Sequence, residues 1–414
     1  MTDSKTIVIL GAGVGGLVAA NELRQLLPPR HRIALVERNE VHAFAPSFLW
    51  VMTGRRRPGK IVRPVRTMLR PGVDFVHADV LAIDTGRALI ETSGGTLNYD
   101  YLIVSLGADL APESIPGLSG AAHTFYTLDG AAGLHTALQG FRAGRVAVVV
   151  ASMPYKCPGA PLEAAMLIAD FFRRNGRRGG VDIGLFTPEP QPMPVAGPAL
   201  GQAAAGMLNS RGITYHPLHK LEAIDPERKE MSFEGKGGIP YDLLVAIPPH
   251  RTPEAARQSP LANESGWIPV DRSSLKTRID NVYAIGDVTS IPIPGRWKPD
   301  VPLMLPKAGV FAHAQASVVA RRIAGAISGR ETSISFCGDG YCMLEAGNDL
   351  AGFAYGNFFA APSPDVRLKR IGRAGHIGKV LFEKWWLAPH GPSRTLYKNA
   401  IEMGSRMMGV PSNL

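Results

Sequence analysis

Short runs of apolar, mostly β-branched residues recur along this chain, bounded by glycine or proline, and several lead into stretches with helical spacing of alanine and leucine. "TIVIL" precedes "VGGLVAANELRQLL", "VAVVV" precedes a helix expected over Pro161–Arg174, and "RIALVE", "YLIV" and "DLLVAI" supply further strands. Such runs, without polar alternation, suit strands buried on both faces of a parallel sheet. Strands alternating with helices predict an α/β fold built from βαβ units. The N-terminal layout repeats from about Gly144 to Pro249: strand Val146–Val150, helix Pro161–Arg174, strand Val181–Thr187 and a closing strand in "YDLLVAIPPH".

The two units part company at the turn after their first strand. The first reads "ILGAGVGGL", with Gly11, Gly13 and Gly16 forming GxGxxG between strand and helix. The first glycine permits the tight turn, the second lets backbone approach a pyrophosphate, and the third packs helix on strand. Glu37, 21 residues after Gly16 at the end of the second strand, suits a ribose hydroxyl. In the second unit "ASMPYKCPGAPLEAA" stands where the phosphate turn belongs. Pro154 and Pro158 have no N–H to offer a phosphate, and the glycine triplet is gone. A nicotinamide cofactor in the usual place is not expected, and Cys157 occupies the vacated turn.

The chain has 414 residues, enough for two or three domains. A net charge of +10 points to an anionic partner or surface. No helix-turn-helix, zinc finger or aromatic-basic platform is present, so no nucleic acid is expected. Three cysteines, Cys157, Cys337 and Cys342, make no disulfide scaffold, and no metal set is evident. The first strand begins by residue 6, leaving no room for a signal peptide, and no apolar run approaches a bilayer span. The expectation is a cytosolic or membrane-apposed protein, with a homo-oligomer left open.

"YDYLIVSLGA", turning at Gly107, and "NVYAIGDVTS", with Gly286-Asp287, join the first motif in resembling glutathione-reductase-like flavoproteins with two dinucleotide domains. "KCPGAPLEAAM" is similar to the Lys-Cys-Gly-Gly-Ala-Pro-Leu-Glu motif of sulfide:quinone oxidoreductases and flavocytochrome c sulfide dehydrogenases. "HAFAPSFLWVMTG", "GWIPVD", "DVPLMLPKAGVFAHAQASVVA" and "CMLEAG" extend the resemblance over nearly the whole chain. It implies two Rossmann-like domains, 1–108 with 266–330 for FAD and 109–265 lacking the NADH glycines, followed by an α+β and amphipathic-helical region, 331–414. It also implies non-covalent FAD held by Gly11, Gly13, Gly16, Glu37, Arg38, Pro46, Val80, Gly107, Gly286, Asp287 and Lys307, since no cysteine precedes Cys157.

The resemblance implies that sulfide reacts at a cysteine pair, Cys157 with Cys342 or Cys337, and that two electrons reach quinone near Lys307 and Phe311. Cys342 matches the family's Cys-Pro-Leu pattern better, with Met343 in place of proline. The histidine that handles protons in some members is missing from "TPEPQPMPVAG", which leaves Glu163 as acid/base candidate or as a mere helix-start charge. A lowered thiol pKa is expected, with Lys156 the cationic neighbour. The tail "GKVLFEKWWLAPHG", with Leu396, Ala400, Met403 and Met407 at helical spacing, reads as a monotopic membrane anchor or as a packing surface. Rival readings are a flavocytochrome c sulfide dehydrogenase flavoprotein, which usually carries an export signal and an early cysteine, a type II NADH:quinone oxidoreductase, which needs a second glycine motif, and a flavin redox sensor.

Overall fold

A computed structural model describes residues 4–296, 303–330 and 332–410. Asp300 to Pro302 of the quoted "DVPLMLPKAGVF" therefore lie outside the described residues.

The chain runs β1 (Thr6–Leu10), α1 (Val14–Leu26), β2 (Arg32–Glu37), β3 (Asp74–His77) and β4 (Tyr101–Val104). It continues through β5 (Gly144–Val150), α2 (Ala160–Arg174), β6 (Val181–Phe186), β7 (Ile213–His216) and β8 (Leu243–Ile247). A late strand, β9 (Val282–Ala284), then returns to the first sheet, which has the order β9-β4-β1-β2-β3 and is parallel throughout. The second sheet, β7-β6-β5-β8, is parallel too. Both are the α/β sheets expected. Ile7 to Leu10 and Val148 to Val149 are fully buried, which is why their sequence shows no alternation.

Register places the chemistry. Leu10 pairs with Val36 and with Val104, and Val104 pairs with Ala284. The residues that follow, Gly11, Glu37, Ser105 and Gly286-Asp287, therefore gather along one carboxyl edge, where ligands of open α/β sheets bind. In the second sheet Val150 pairs with Ile247 and Val149 with Phe186, so the Cys157 loop opens on the corresponding edge.

After α3 (Gly309–Ile327) the chain forms an antiparallel hairpin sheet. Its strands are β10 (Asp339–Glu345), β11 (Ala351–Asn357) and β12 (Asp365–Gly372). Two helices close the chain, α4 (Arg373–Leu387) and α5 (Pro392–Met408). The tail differs from the expected anchor in one respect. Trp385, Trp386 and Leu387 are buried, packed with His42, Phe44 and Phe382 rather than facing outward. The exposed large apolar side chains of these two helices are Ile377 of α4 and Leu396, Met403 and Met407 of α5. Among the described residues no helix is long and apolar enough to cross a membrane.

Gly16 tests the first turn directly. A Cβ there would lie 1.8 Å from the Gly11 carbonyl oxygen, and neither main chain can yield without opening the helix–strand contact. Gly16→Ala is expected to lose about 1–3 kcal/mol of stability, read as a lower urea midpoint. An unchanged midpoint would show that the close approach is dispensable.

Candidate functional site

One cavity of about 680 Å³ joins the edges of the two parallel sheets to the C-terminal hairpin and α4. At its nucleotide end lie Gly11, Gly13, Glu37, Arg38, Pro46, Val80, Gly107 and Asp287. Gly11 adopts φ +95°, and a Cβ there would strike the Ser105 carbonyl oxygen at 2.5 Å, so only glycine serves. Nothing lies within 4 Å of a Cβ built at Gly13, which leaves its backbone open to a ligand. Gly16 and Gly286 do not line the cavity; Gly16 seats α1, and Gly286, at φ +72°, donates its N–H to Gln315 Oε1 at 2.7 Å. The Glu37 carboxylate accepts from the Ala12 N–H at 2.8 Å and from the Asn39 N–H and side-chain amide at 2.8 Å.

Asp287 Oδ1 is buried without a hydrogen-bond partner. Burial pushes its carboxyl up, against the pull of Lys156 and Lys307. A buried carboxylate oxygen with no donor calls for a hydroxyl-bearing ligand. The open glycine backbone at the N-terminus of α1, Glu37 at ribose distance in sequence and this orphaned oxygen together fit a dinucleotide flavin.

The other end of the cavity holds sulfur. Cys157 and Cys342 both line it, whereas Cys337 does not; Cys337 is exposed, with its sulfur near Ser335. Cys157 has φ +56°, a conformation uncommon for a side chain that is neither Gly nor Asn. Two main-chain bonds hold it there: its N–H donates to the Lys307 carbonyl at 2.7 Å, and its carbonyl accepts from the Ala160 N–H at 2.9 Å. A Cβ built at Gly159 would sit 3.5 Å from Cys342 Sγ and 3.9 Å from Glu163 Oε2. The Cys157 loop, Cys342 on β10 and Glu163 on α2 thus share one small space.

Lys307 contributes through its backbone. Its ammonium donates to the carbonyls of Asp287 at 2.6 Å and Thr289 at 3.1 Å and lies 3.4 Å above the Trp267 ring, while burial lowers its pKa to about 8. Phe311 also lines the cavity, its ring edge-on to Phe336 and Phe358 and pressed over Gly340, where a Cβ would clash at 2.4 Å.

The electrostatics correct two expectations. Burial pushes the Cys157 thiol up to about 12; nearby Glu163 adds to the rise and Lys379 opposes it. Cys342 is pushed up as well, by burial and by Cys157. The thiols are raised rather than lowered because the pocket withdraws water from the charged form. The cation that acts on them is Lys379 of α4, not Lys156, whose ammonium donates to the Ala108 carbonyl at 3.0 Å and faces Asp287 and Asp109. Lys379 pairs with Glu163 at 2.6 Å, both buried, and Glu163 also accepts the Glu345 N–H at 2.9 Å. Burial raises the Glu163 carboxyl. Nothing in the spacing of the tail singled out Lys379, since the turn that brings α4 back to the thiols has no sequence signature.

Just beyond β6, where the acidic residue of a glycine-bearing unit would meet the adenosine ribose of the cofactor, this chain bonds to itself. Tyr155, from the substituted loop, donates to Glu189 Oε2 at 2.8 Å, and Thr187 Oγ1 donates to the same oxygen at 3.1 Å.

Residues 5–318 match the family model described as pyridine nucleotide-disulphide oxidoreductase. The mitochondrial sulfide:quinone oxidoreductase of Mus musculus is 30% identical over 304 residues, 69% of this chain and 66% of that protein. This chain therefore spans just under two thirds of that relative's length. The sulfide-quinone reductase of Aquifex aeolicus is 26% identical over 400 residues, 93% of this chain and 90% of that protein. The solved sulfide:quinone oxidoreductase structure from the same bacterium aligns with a TM-score of 0.83 at 23% identity, covering 97% of this chain and 95% of that one. The type II NADH:quinone oxidoreductase of Staphylococcus haemolyticus is 23% identical over 375 residues, 86% of this chain and 90% of that protein.

Thiol burial has a direct readout. At pH 8, iodoacetamide should label exposed Cys337 quickly and leave Cys157 mostly intact, with the Cys157 rate climbing about tenfold per pH unit toward its value of about 12. Equal labelling of both at pH 8, followed by mass spectrometry, would contradict the assigned environment.

Proposed function

The chain belongs to the pyridine nucleotide-disulphide oxidoreductase family, and from that premise we propose that it is a sulfide:quinone oxidoreductase working through FAD and a Cys157–Cys342 pair. The observation that carries this reading is one cavity with a nucleotide end built for a flavin and two thiols at the other end. The relatives' names support it. The proposed domain limits are 1–108 with 266–330, 109–265 and 331–414.

Gly11, Gly13, Glu37, Arg38, Pro46, Val80, Gly107 and Asp287 hold the FAD, with Gly16, Gly286 and Lys307 shaping the walls. When bound, that cofactor supplies two-electron redox chemistry between sulfur and quinone. In the oxidised protein HS⁻ attacks one sulfur of a Cys157–Cys342 disulfide. That S–S bond breaks, a new one forms, and one cysteine becomes a persulfide while the other leaves as thiolate. Lys379 stabilises the thiolate, and Glu163 exchanges the proton. Phe311 and the apolar wall near Trp386 receive the quinone ring. The α5 stripe of Leu396, Met403 and Met407 rests on the membrane that holds quinone, and the surplus positive charge favours an anionic surface.

An NADH-driven reading lacks support from the second unit, where Tyr155 occupies Glu189 and no glycine turn follows β5.

Anaerobic sulfide should bleach the bound flavin, and NADH should not. Cys157→Ser and Cys342→Ser should each retain FAD while losing sulfide-dependent bleaching, and Cys337→Ser should keep it. Bleaching by NADH alone would move the protein to the NADH:quinone class. Full activity in Cys157→Ser would end the sulfide reading.

Replacing Leu396, Met403 and Met407 together by glutamate should cut sedimentation with liposomes severalfold, while FAD content stays unchanged. Undiminished sedimentation would leave α5 without a membrane role.

A further inference from the structure

Oxidising sulfur at two half-buried thiols creates a proton problem. When a persulfide and its partner thiol join, R–S–SH + HS–R′ gives R–S–S–S–R′ plus two protons and two electrons. Two S–H bonds break, one S–S bond forms, and the electrons go to quinone, which takes up two protons elsewhere as it becomes quinol. The protons released at sulfur must reach water. Cys157, Cys342, Glu163 and Lys379 stand within the fold, and the histidine found in some relatives is missing from this sequence.

The structure supplies a histidine from another element. Glu345, the last residue of β10, has no exposed surface. Its carboxylate meets His376 Nδ1 at 2.9 Å and 3.1 Å, from the first turn of α4. The other ring nitrogen of His376 faces the Asp349 carboxylate at 3.7 Å, and that carboxylate is 57% exposed. On the inner side, Lys379 is paired with Glu163 at 2.6 Å and stands in the field of Glu345. Glu163 receives the Glu345 N–H, so both carboxylates are fixed to one corner of the hairpin.

The surroundings bury the inner groups of this chain and leave its end exposed. Trp50, almost fully buried, sets its ring edge-on to His376 at 5.8 Å and beneath the Lys379 ammonium at 5.6 Å. Arg55 at 2.8 Å and Arg174 at 3.4 Å hold Asp349, and Arg55 reaches Asp170 at 3.5 Å. Glu383, one turn beyond Lys379, is committed to Arg56 at 2.9 Å and to the Ser47 hydroxyl. Along the route between Glu163 and the surface, imidazole is the group that alternates donor and acceptor most readily.

Building on the assignment of Cys157 and Cys342 as the working thiols, we propose that Glu345 and His376 form the exit by which protons from that pair reach solvent at Asp349. Glu163 takes the thiol proton. Lys379 accepts it while giving one of its own to Glu345 across a bridging water, and Glu345 hands it to His376 Nδ1 as Nε2 releases a proton toward Asp349 and water. One passage delivers one proton to solvent, leaves the thiolate behind and restores the charges of the relay, and the imidazole returns to its starting tautomer before the next.

The test needs neither sulfide nor quinone. Full-length protein carrying Cys337→Ser is reduced with a phosphine and transferred to D2O, and infrared follows loss of the S–H stretches of Cys157 and Cys342. His376→Phe and Glu345→Gln should each slow that exchange by roughly tenfold or more. His376→Gln repeats the test with a polar side chain of similar size should the phenylalanine variant misfold. Imidazole added to His376→Gly should restore the fast rate, a response that lost packing would not give. Exchange at the parent rate in both the His376 and Glu345 variants would overturn the route, as would slow exchange in His376→Gly that imidazole leaves unchanged. A protein inert to sulfide but with exchange dependent on His376 would refute the proposed function and leave the exit standing.

Discussion

Lys379 and Glu163 stand 216 residues apart in the chain and meet at 2.6 Å with almost no exposed surface. One belongs to the second unit's helix, which follows the cysteine loop, and the other to the C-terminal helix that covers the cavity. Neither charge is tolerable alone in that place. Removing one partner of such a pair costs about 3–5 kcal/mol, because the survivor stays buried and unpaired. The pair therefore obliges α4 to close over the thiols, and with it come Trp385, Trp386 and His376. Closure sets the field at sulfur, where burial pushes both thiols up and Lys379 is the nearby cation opposing it.

The cysteine loop depends on the same economy of fixed contacts. A phosphate turn uses glycines so that backbone N–H groups can face a ligand. Here the N–H of Cys157 instead faces the Lys307 carbonyl, and Tyr155 fills the hydrogen-bonding capacity of Glu189. The Rossmann frame is retained and its ligand position is given to side chains. Cys157 in the left-handed region aims its sulfur into the cavity, a conformation held by two main-chain bonds.

The tail divides its apolar residues between two tasks. The tryptophans complete the wall of the site, with Trp386 Nε1 donating to His42 at 3.0 Å. Leu396, Met403 and Met407 of α5 keep their surface exposed. Hydrophobicity along a helix says how much surface must be hidden, and the neighbours decide which part is.

By itself the sequence determined the α/β class, the strand–glycine–helix of the nucleotide end and the replacement of the second phosphate turn by Cys157. These are local: Gly11, Gly13 and Gly16 act within one turn, and burial on both faces writes itself into "TIVIL" and "VAVVV". Glu163 was legible for a related reason, six residues after Cys157 at a helix start. The resemblance favoured Cys342 over Cys337 as the sulfur partner while spacing alone left both open, and it is the packed hairpin that sets Cys342 on the cavity. Lys379, Glu345 and His376 were hidden. Their contacts arise from α4 folding back onto the hairpin and, through Lys379, onto a helix 216 residues earlier, and their burial exists only after that closure. Local geometry is set by neighbours in sequence, while desolvation and charge pairing are properties of the packed interior.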